Sequence, residues 1–217
     1  MTEKNKLGIQ YMQEGKYEEA VKVFAEVIEE NPNDSLAYAN FGNVLSTVGE
    51  DEKALKFYEK AIELDENNAT AFYSAGNVYF NRNQFTEAKK MFESAIKKGM
   101  QNADVYFMLG MILMKIEQPR LALPYFQRAV ELDENDAEAI FQLGICLAQQ
   151  SMLDEAMKEF TKVIDIDPQH ADAFYNLGVA YGFKEKGEEA VKMFDKALEI
   201  QPDHLLASHG KKVISEA

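Results

Sequence analysis

Glycine recurs at Gly8, Gly42, Gly76, Gly110, Gly144 and Gly178, a spacing of 34 residues kept through six copies without a gap. Three further columns hold the same period: Ala20, Ala54, Ala88, Ala122, Ala156 and Ala190; the aromatic set Phe24, Tyr58, Phe92, Phe126, Phe160 and Phe194; and the small or β-branched set Val27, Ala61, Ala95, Ala129, Val163 and Ala197. Four columns in phase leave few folds open. Each copy is one supersecondary unit that cannot bury its apolar faces alone, so neighbours must stack in series to complete a core.

Within a copy the apolar residues follow a helical period twice. In the fifth, AEAIFQLGICLAQQ places them at three- and four-residue intervals, Ser151 breaks the pattern, and LDEAMKEFTKVIDI resumes it. Acidic pairs such as Glu18–Glu19, Asp154–Glu155 and Glu188–Glu189 sit where a helix N-terminus favours negative charge. Asn31-Pro32, Asp167-Pro168 and Gln201-Pro202 end second helices, because a residue before proline resists helical geometry. Pro119 suits a first turn, whereas Pro124 stands inside a helix and removes one backbone bond. The small columns let two backbones approach, and an aromatic ring such as Phe126 fills the space left over Gly110. A bulkier side chain there overpacks the hairpin at a cost of about 1–3 kcal/mol.

A hydrophobic share of 47% sets the chain apart from disordered sequences, and the formal charge of −14 bounds its partners. Nucleic acid is excluded as a partner, since phosphate binding rests on Lys and Arg. An anionic membrane surface is repelled by the same field, and a basic partner is favoured by steering. Cys146 is the lone cysteine, so no intramolecular disulfide can form, and its apolar neighbours mark it as a core residue. No apolar run reaches the roughly 20 residues of a membrane helix, and the opening MTEKNKLGIQ lacks the apolar centre of a secretory signal. A cytoplasmic setting is the expectation.

The pattern resembles the tetratricopeptide repeat (TPR), a 34-residue helix–turn–helix, and FGNVLSTVGEDEKALKFYEKAIELDENNATAFY is similar to its consensus. The resemblance covers residues 1 to about 204 and implies an all-α fold: an α-solenoid, a right-handed superhelix of six TPR units. The units are expected at 1–34, 35–68, 69–102, 103–136, 137–170 and 171–204, in one domain over 1–217. Residues 205–217 are too few for a seventh hairpin and are expected to form a capping helix. Being specific for fold but not for function, the resemblance implies a binding scaffold without naming its ligand.

In TPR proteins the first helices line a concave groove and supply most ligand contacts. Carried onto this sequence, the groove columns start from Asn5, Ile9 and Met12. They give Ala39, Asn43 and Ser46, then Tyr73, Asn77 and Phe80, then Phe107, Met111 and Met114. Phe141, Ile145 and Ala148 follow, and Tyr175, Val179 and Gly182 close the set. A carboxylate clamp for peptide C-termini is not expected, because Ala39, Ser74, Asp104 and Met108 stand in its Lys and Arg columns. An asparagine ladder is matched only by Asn40 and Asn176, with Ser74, Met108 and Gln142 interrupting it. Asp104, Glu138 and Asp172 add a column of acids beside Phe107, Phe141 and Tyr175. This acidic–aromatic strip is the expected seat of a partner segment carrying Lys or Arg among apolar anchors. The structural alternative is that the rings fold down onto neighbouring hairpins and the acids serve helix N-termini.

Residues 69–102 carry five Lys/Arg and two acids, net +3, while each other unit is net −3 or −4. Lys98 stands where Leu64, Leu132 and Ile166 stand elsewhere, so a softer junction is expected near Gly99–Asn102. Catalytic and metal motifs are absent: there is no HExxH, no phosphate-cradling glycine loop and no zinc-type cysteine spacing. No enzyme, cofactor or metal is expected. The chain reads as an adaptor for an unidentified protein or peptide, with homo-oligomeric self-association through the groove or terminal helix as the alternative.

Overall fold

The computed structural model describes residues 2–216 and is all-α. Its helices are α1 (Glu3–Gln13), α2 (Tyr17–Glu30), α3 (Ser35–Thr47), α4 (Asp51–Leu64), α5 (Ala69–Asn81), α6 (Phe85–Lys97), α7 (Ala103–Lys115), α8 (Pro119–Leu132), α9 (Ala137–Gln149), α10 (Leu153–Ile166), α11 (Ala171–Phe183), α12 (Gly187–Ile200) and α13 (Leu205–Glu216). The first twelve pair as helix–turn–helix hairpins in the expected register. The capping helix is α13, and Met1 and Ala217 lie outside the described residues.

The chain divides into two compact units, residues 1–101 and 102–217, one residue before the expected boundary between the third and fourth repeats. In the first unit α1 to α6 pack pairwise in sequence order, with the first helices α1, α3 and α5 also touching one another. The second unit repeats that plan with α7 to α12: α7 touches α9, α9 touches α11, and α13 closes the row against α11 and α12.

The glycine column sets the spacing inside each hairpin. A β-carbon built on Gly8, Gly42 or Gly110 would stand 2.6 Å from a ring carbon of Phe24, Tyr58 or Phe126. The rings themselves are fully enclosed, as are the alanines of the second column. Ring and glycine therefore form one packing element: the missing side chain is the ring's seat.

Two columns of local structure fix the turns. Asp34, Asn68, Asn102, Asp136, His170 and His204 are spaced by 34, and each accepts a backbone N–H in the first turn of the following helix. Between the two helices of a hairpin, one residue takes a left-handed conformation. It is Gly15 and Gly49 in the first two hairpins, but Asn83, Glu117, Ser151 and Glu185 in the others, at φ near 60°. Second helices lack a side-chain cap, and all but α8, which starts at Pro119, carry acids in the first turn, as at Glu18 and Glu19.

Two proline and lysine features depart from the repeat. Helix α8 begins at Pro119 and continues through Pro124. Helix α6 ends at Lys97, one residue short of its counterparts, and Gly99 follows at φ 99°. The Lys98 ammonium reaches back to donate to the Asn67 Oδ1 at 3.3 Å, so a polar tether stands where Leu64 or Ile166 stands in other repeats.

Candidate functional site

In the second unit the expected strip is carried by three adjacent helices, α7, α9 and α11. Phe107, Phe141 and Tyr175 are half-buried, each resting on the aromatic of its own hairpin: Phe126 at 6.0 Å, Phe160 at 5.8 Å and Phe194 at 6.0 Å between ring centroids. Such tilted pairs hold the rings in place while leaving part of each exposed. Met111, Met114 and Ile145 are half-buried beside them. Asp104, Glu138 and Asp172 are exposed in the first turns of the three helices. A strip of acids and partly exposed rings is therefore brought together within this unit.

Two of the acids are held. Glu138 accepts from the Gln142 side chain at 2.9 Å. Asp172 is held by His204, which is nearly enclosed. The His204 Nδ1 accepts the Ala207 backbone N–H at 3.2 Å, which leaves the ring proton on Nε2 to be donated to Asp172 Oδ1 at 3.1 Å. The same ring lies 5.1 Å from Tyr175, and His170 lies 4.7 Å from Phe141 in the preceding repeat. His170 and His204 stand one 34-residue period apart, and their capping role is not evident from residue type alone. The signal was there, because Asp and Asn caps occupy the same column in other repeats.

The first unit has different chemistry. Asn43 accepts a hydrogen bond from the Tyr58 hydroxyl at 2.9 Å, and burial pushes that phenol up to about 12, so it stays a donor. Tyr58 is the one tyrosine in a column otherwise of phenylalanine. Asn77 is half-buried, Tyr73 sits edge-on to Phe92 at 5.5 Å, and Phe80 edge-on to Phe85 at 5.7 Å. These rings too lie partly on their own hairpins.

The ladder amides do not present themselves as expected. Asn40 is 7% exposed, and its Nδ2 is enclosed without a hydrogen-bond partner, so the amide is closed off from a ligand. Asn176 turns onto its own helix and donates to the Asp172 carbonyl at 2.8 Å. Asn5 and Ala39, at the head of the groove columns, are wholly buried; Asn5 donates to Asp34 at 3.0 Å. Asn5 and Asn176 find side-chain or backbone acceptors nearby sooner than they reach an open face.

Elsewhere, Cys146 is buried with its thiol donating to the Pro119 carbonyl at 3.1 Å, and burial pushes its titration up, away from reactive thiolate. Among the described residues no three His, Cys, Asp or Glu side chains gather as metal ligands, and no helix is long and apolar enough to cross a membrane.

Comparison with known proteins agrees with the repeat. Tetratricopeptide repeat models match residues 3–34, 73–115, 107–171 and 171–204, and a TPR repeat model matches 47–81. The TPR repeat-containing protein YrrB of Bacillus subtilis (strain 168) is 59% identical over 39 residues, 18% of this chain and 19% of the relative. The crystal structure of YrrB, described as a TPR protein with an unusual peptide-binding site, superposes with a TM-score of 0.84 and 59% identity. That match covers 87% of this chain and 97% of that one. A MamA crystal structure is 28% identical at a TM-score of 0.72, covering 77% of this chain and 92% of its own. Pseudomonas aeruginosa pilF shares the fold at 20% identity and a TM-score of 0.82, covering 97% and 96%. With the 34-residue columns, the glycine–ring packing and these matches in agreement, the chain belongs to the tetratricopeptide repeat family.

Proposed function

We propose that this protein is an adaptor that holds a peptide or protein segment on the first-helix face of its repeats. The main seat is the acidic–aromatic strip of the second unit: Asp104, Glu138 and Asp172 beside Phe107, Phe141 and Tyr175, with Met111, Met114 and Ile145 alongside. Asn43, Asn77, Tyr73 and Phe80 offer an accessory polar and aromatic face in the first unit. The observation that carries this reading is the register of the strip. Exposed carboxylates and half-exposed rings recur side by side on three adjacent helices. Aromatic and methionine side chains supply contact area with little rotamer entropy to lose or with adaptable shape. The acids select for charge and speed encounter more than they add affinity. The fitting ligand is a segment with Lys or Arg placed between apolar anchors. The peptide-binding site of YrrB, a protein 59% identical over most of this chain, supports the class of ligand.

The test is selection from a random peptide library displayed on phage, run on the wild type and on the D104S/E138S/D172S variant. Peptides enriched on the wild type should carry basic residues between apolar ones. They should bind the variant more weakly and with a flatter salt dependence. Enrichment of the same peptides, with the same affinity, on both proteins would remove the strip from consideration.

A further inference from the structure

The column that caps the first helices is Asp or Asn in four places and histidine in two: His170 before α11 and His204 before α13. The histidines cap with a nitrogen that can take up a proton. The His170 Nδ1 accepts the Ala173 backbone N–H at 3.1 Å, and the His204 Nδ1 accepts that of Ala207 at 3.2 Å. Each ring also stands against a ring of the acidic–aromatic strip, His170 at 4.7 Å from Phe141 and His204 at 5.1 Å from Tyr175 between centroids. His204 further holds Asp172, an acid of the strip, through Nε2 at 3.1 Å. Each imidazole therefore caps a helix and backs a residue of the strip at once. The fold does not require histidine for the first of these tasks, since Asn68 and Asn102 cap in the same way at 3.0 and 3.2 Å.

Such a cap exists only while Nδ1 is bare. Imidazole takes up its proton between about pH 8 and 5, and an Nδ1–H would then point at the Ala173 or Ala207 N–H, donor against donor. The charged ring has to turn out of the cap, and Phe141 or Tyr175 loses the neighbour that backs it. We infer that, if the strip is the ligand's seat as proposed above, His170 and His204 make its grip on a basic segment depend on pH: firm with both rings neutral, weak with them protonated. Charge acts in the same direction, because an imidazolium beside Tyr175 and Asp172 repels the Lys or Arg that the acids attract. The acids on the elements packed at these helix ends are Asp136 and Glu138 of α9, Asp165 and Asp167 of α10 and its link, Asp172 of α11, and Asp203 after α12. The cations there, Lys162 and Lys196, are held by Glu159 and Glu199, and α13 itself brings only the exposed His209 in its first turns. All of these groups stay when His170 and His204 are replaced, so the imidazoles can be separated from the carboxylates.

The variant H170N/H204N tests this, because it keeps both caps in the form found at Asn68 and Asn102 and removes both protonable nitrogens. A peptide selected on the wild-type strip at about pH 7.5 should bind the wild type roughly tenfold more weakly at about pH 5.5, the equivalent of one lost N-cap, and the variant within about twofold. Without any peptide, nitrogen–proton NMR should show the Ala173 and Ala207 amide signals of the wild type moving over the same interval, while those of the variant stay. Wild-type affinity that is flat with pH, or that falls equally in both proteins, overturns the proposal, since carboxylates or the peptide then carry whatever dependence there is. So do wild-type amide signals that do not move, because the caps then persist through the interval. Peptides that bind D104S/E138S/D172S as well as the wild type would remove the strip and with it the control of binding, and the amide titration tells that failure apart from caps that do not respond.

Discussion

Substituting Gly144 by alanine should destabilise the protein although alanine is the better helix former. A β-carbon at this position would lie 2.6, 2.9 and 3.1 Å from three carbons of the Phe160 ring. Carbon pairs are comfortable at about 3.5–4.0 Å, so something must move by nearly an ångström. The ring has nowhere to go: it is wholly buried and has the Phe141 ring against it at 5.8 Å. Overpacking of this kind costs about 1–3 kcal/mol, and enclosure puts this site in the upper half of that range. Helix propensity returns about 1 kcal/mol, leaving a net loss of about 1–2 kcal/mol. For a chain of this length that is a fall in Tm of roughly 2–8 °C. Urea denaturation followed by circular dichroism reads it directly. The decisive comparison is the same change in an F160L background, where the clash is gone and only propensity remains. There G144A should stabilise by up to about 1 kcal/mol, a coupling of about 2–3 kcal/mol between the two positions. G187A is the internal control, since its nearest neighbour is Ile214 Cγ2 at 3.4 Å, and it should be neutral or better. If G144A stabilises the wild type, or costs the same in both backgrounds, the glycine column is not a ring seat.

The turn column makes an opposite prediction: Glu117→Gly and Glu185→Gly should each stabilise by about 0.5–1 kcal/mol in thermal melts. A left-handed residue other than glycine costs about 1–2 kcal/mol, part of which returns as unfolded-state entropy. Tyr58→Phe should cost about 1 kcal/mol at neutral pH through the lost bond to Asn43. Because the folded phenol titrates near 12 instead of 10, its contribution is complete below pH 10 and fades as pH rises to 12. The wild type should therefore lose about 2–3 kcal/mol more than Y58F over that window. Hydrogen exchange should be faster at Gly99–Asn102 than at 65–68 or 133–136, because α6 stops a residue early and Lys98 replaces an apolar contact. Equal protection at the three junctions would refute that.

The linear chain determined the fold class, the hairpin register and the packing columns. Its 34-residue period repeats one solution six times, and a one-residue error in any copy would put Gly8 or its equivalents out of step with the ring that needs them. Helix ends at Asn31, Asp167 and Gln201 were legible for the same reason: proline's constraint is local and needs no partner. Which side chains remain open to a ligand was decided only in three dimensions. Asn40 and Asn176 are the same residue type in the same column, yet one is enclosed and the other bonds its own helix. Phe107, Phe141 and Tyr175 are half-exposed because each lies on a ring 19 residues further along the chain. The pairing of His204 with Asp172 spans 32 residues and depends on a tautomer set by the Ala207 backbone. Periodicity assigns a residue to a face, but exposure and hydrogen bonding depend on the neighbours that stacking brings to that face.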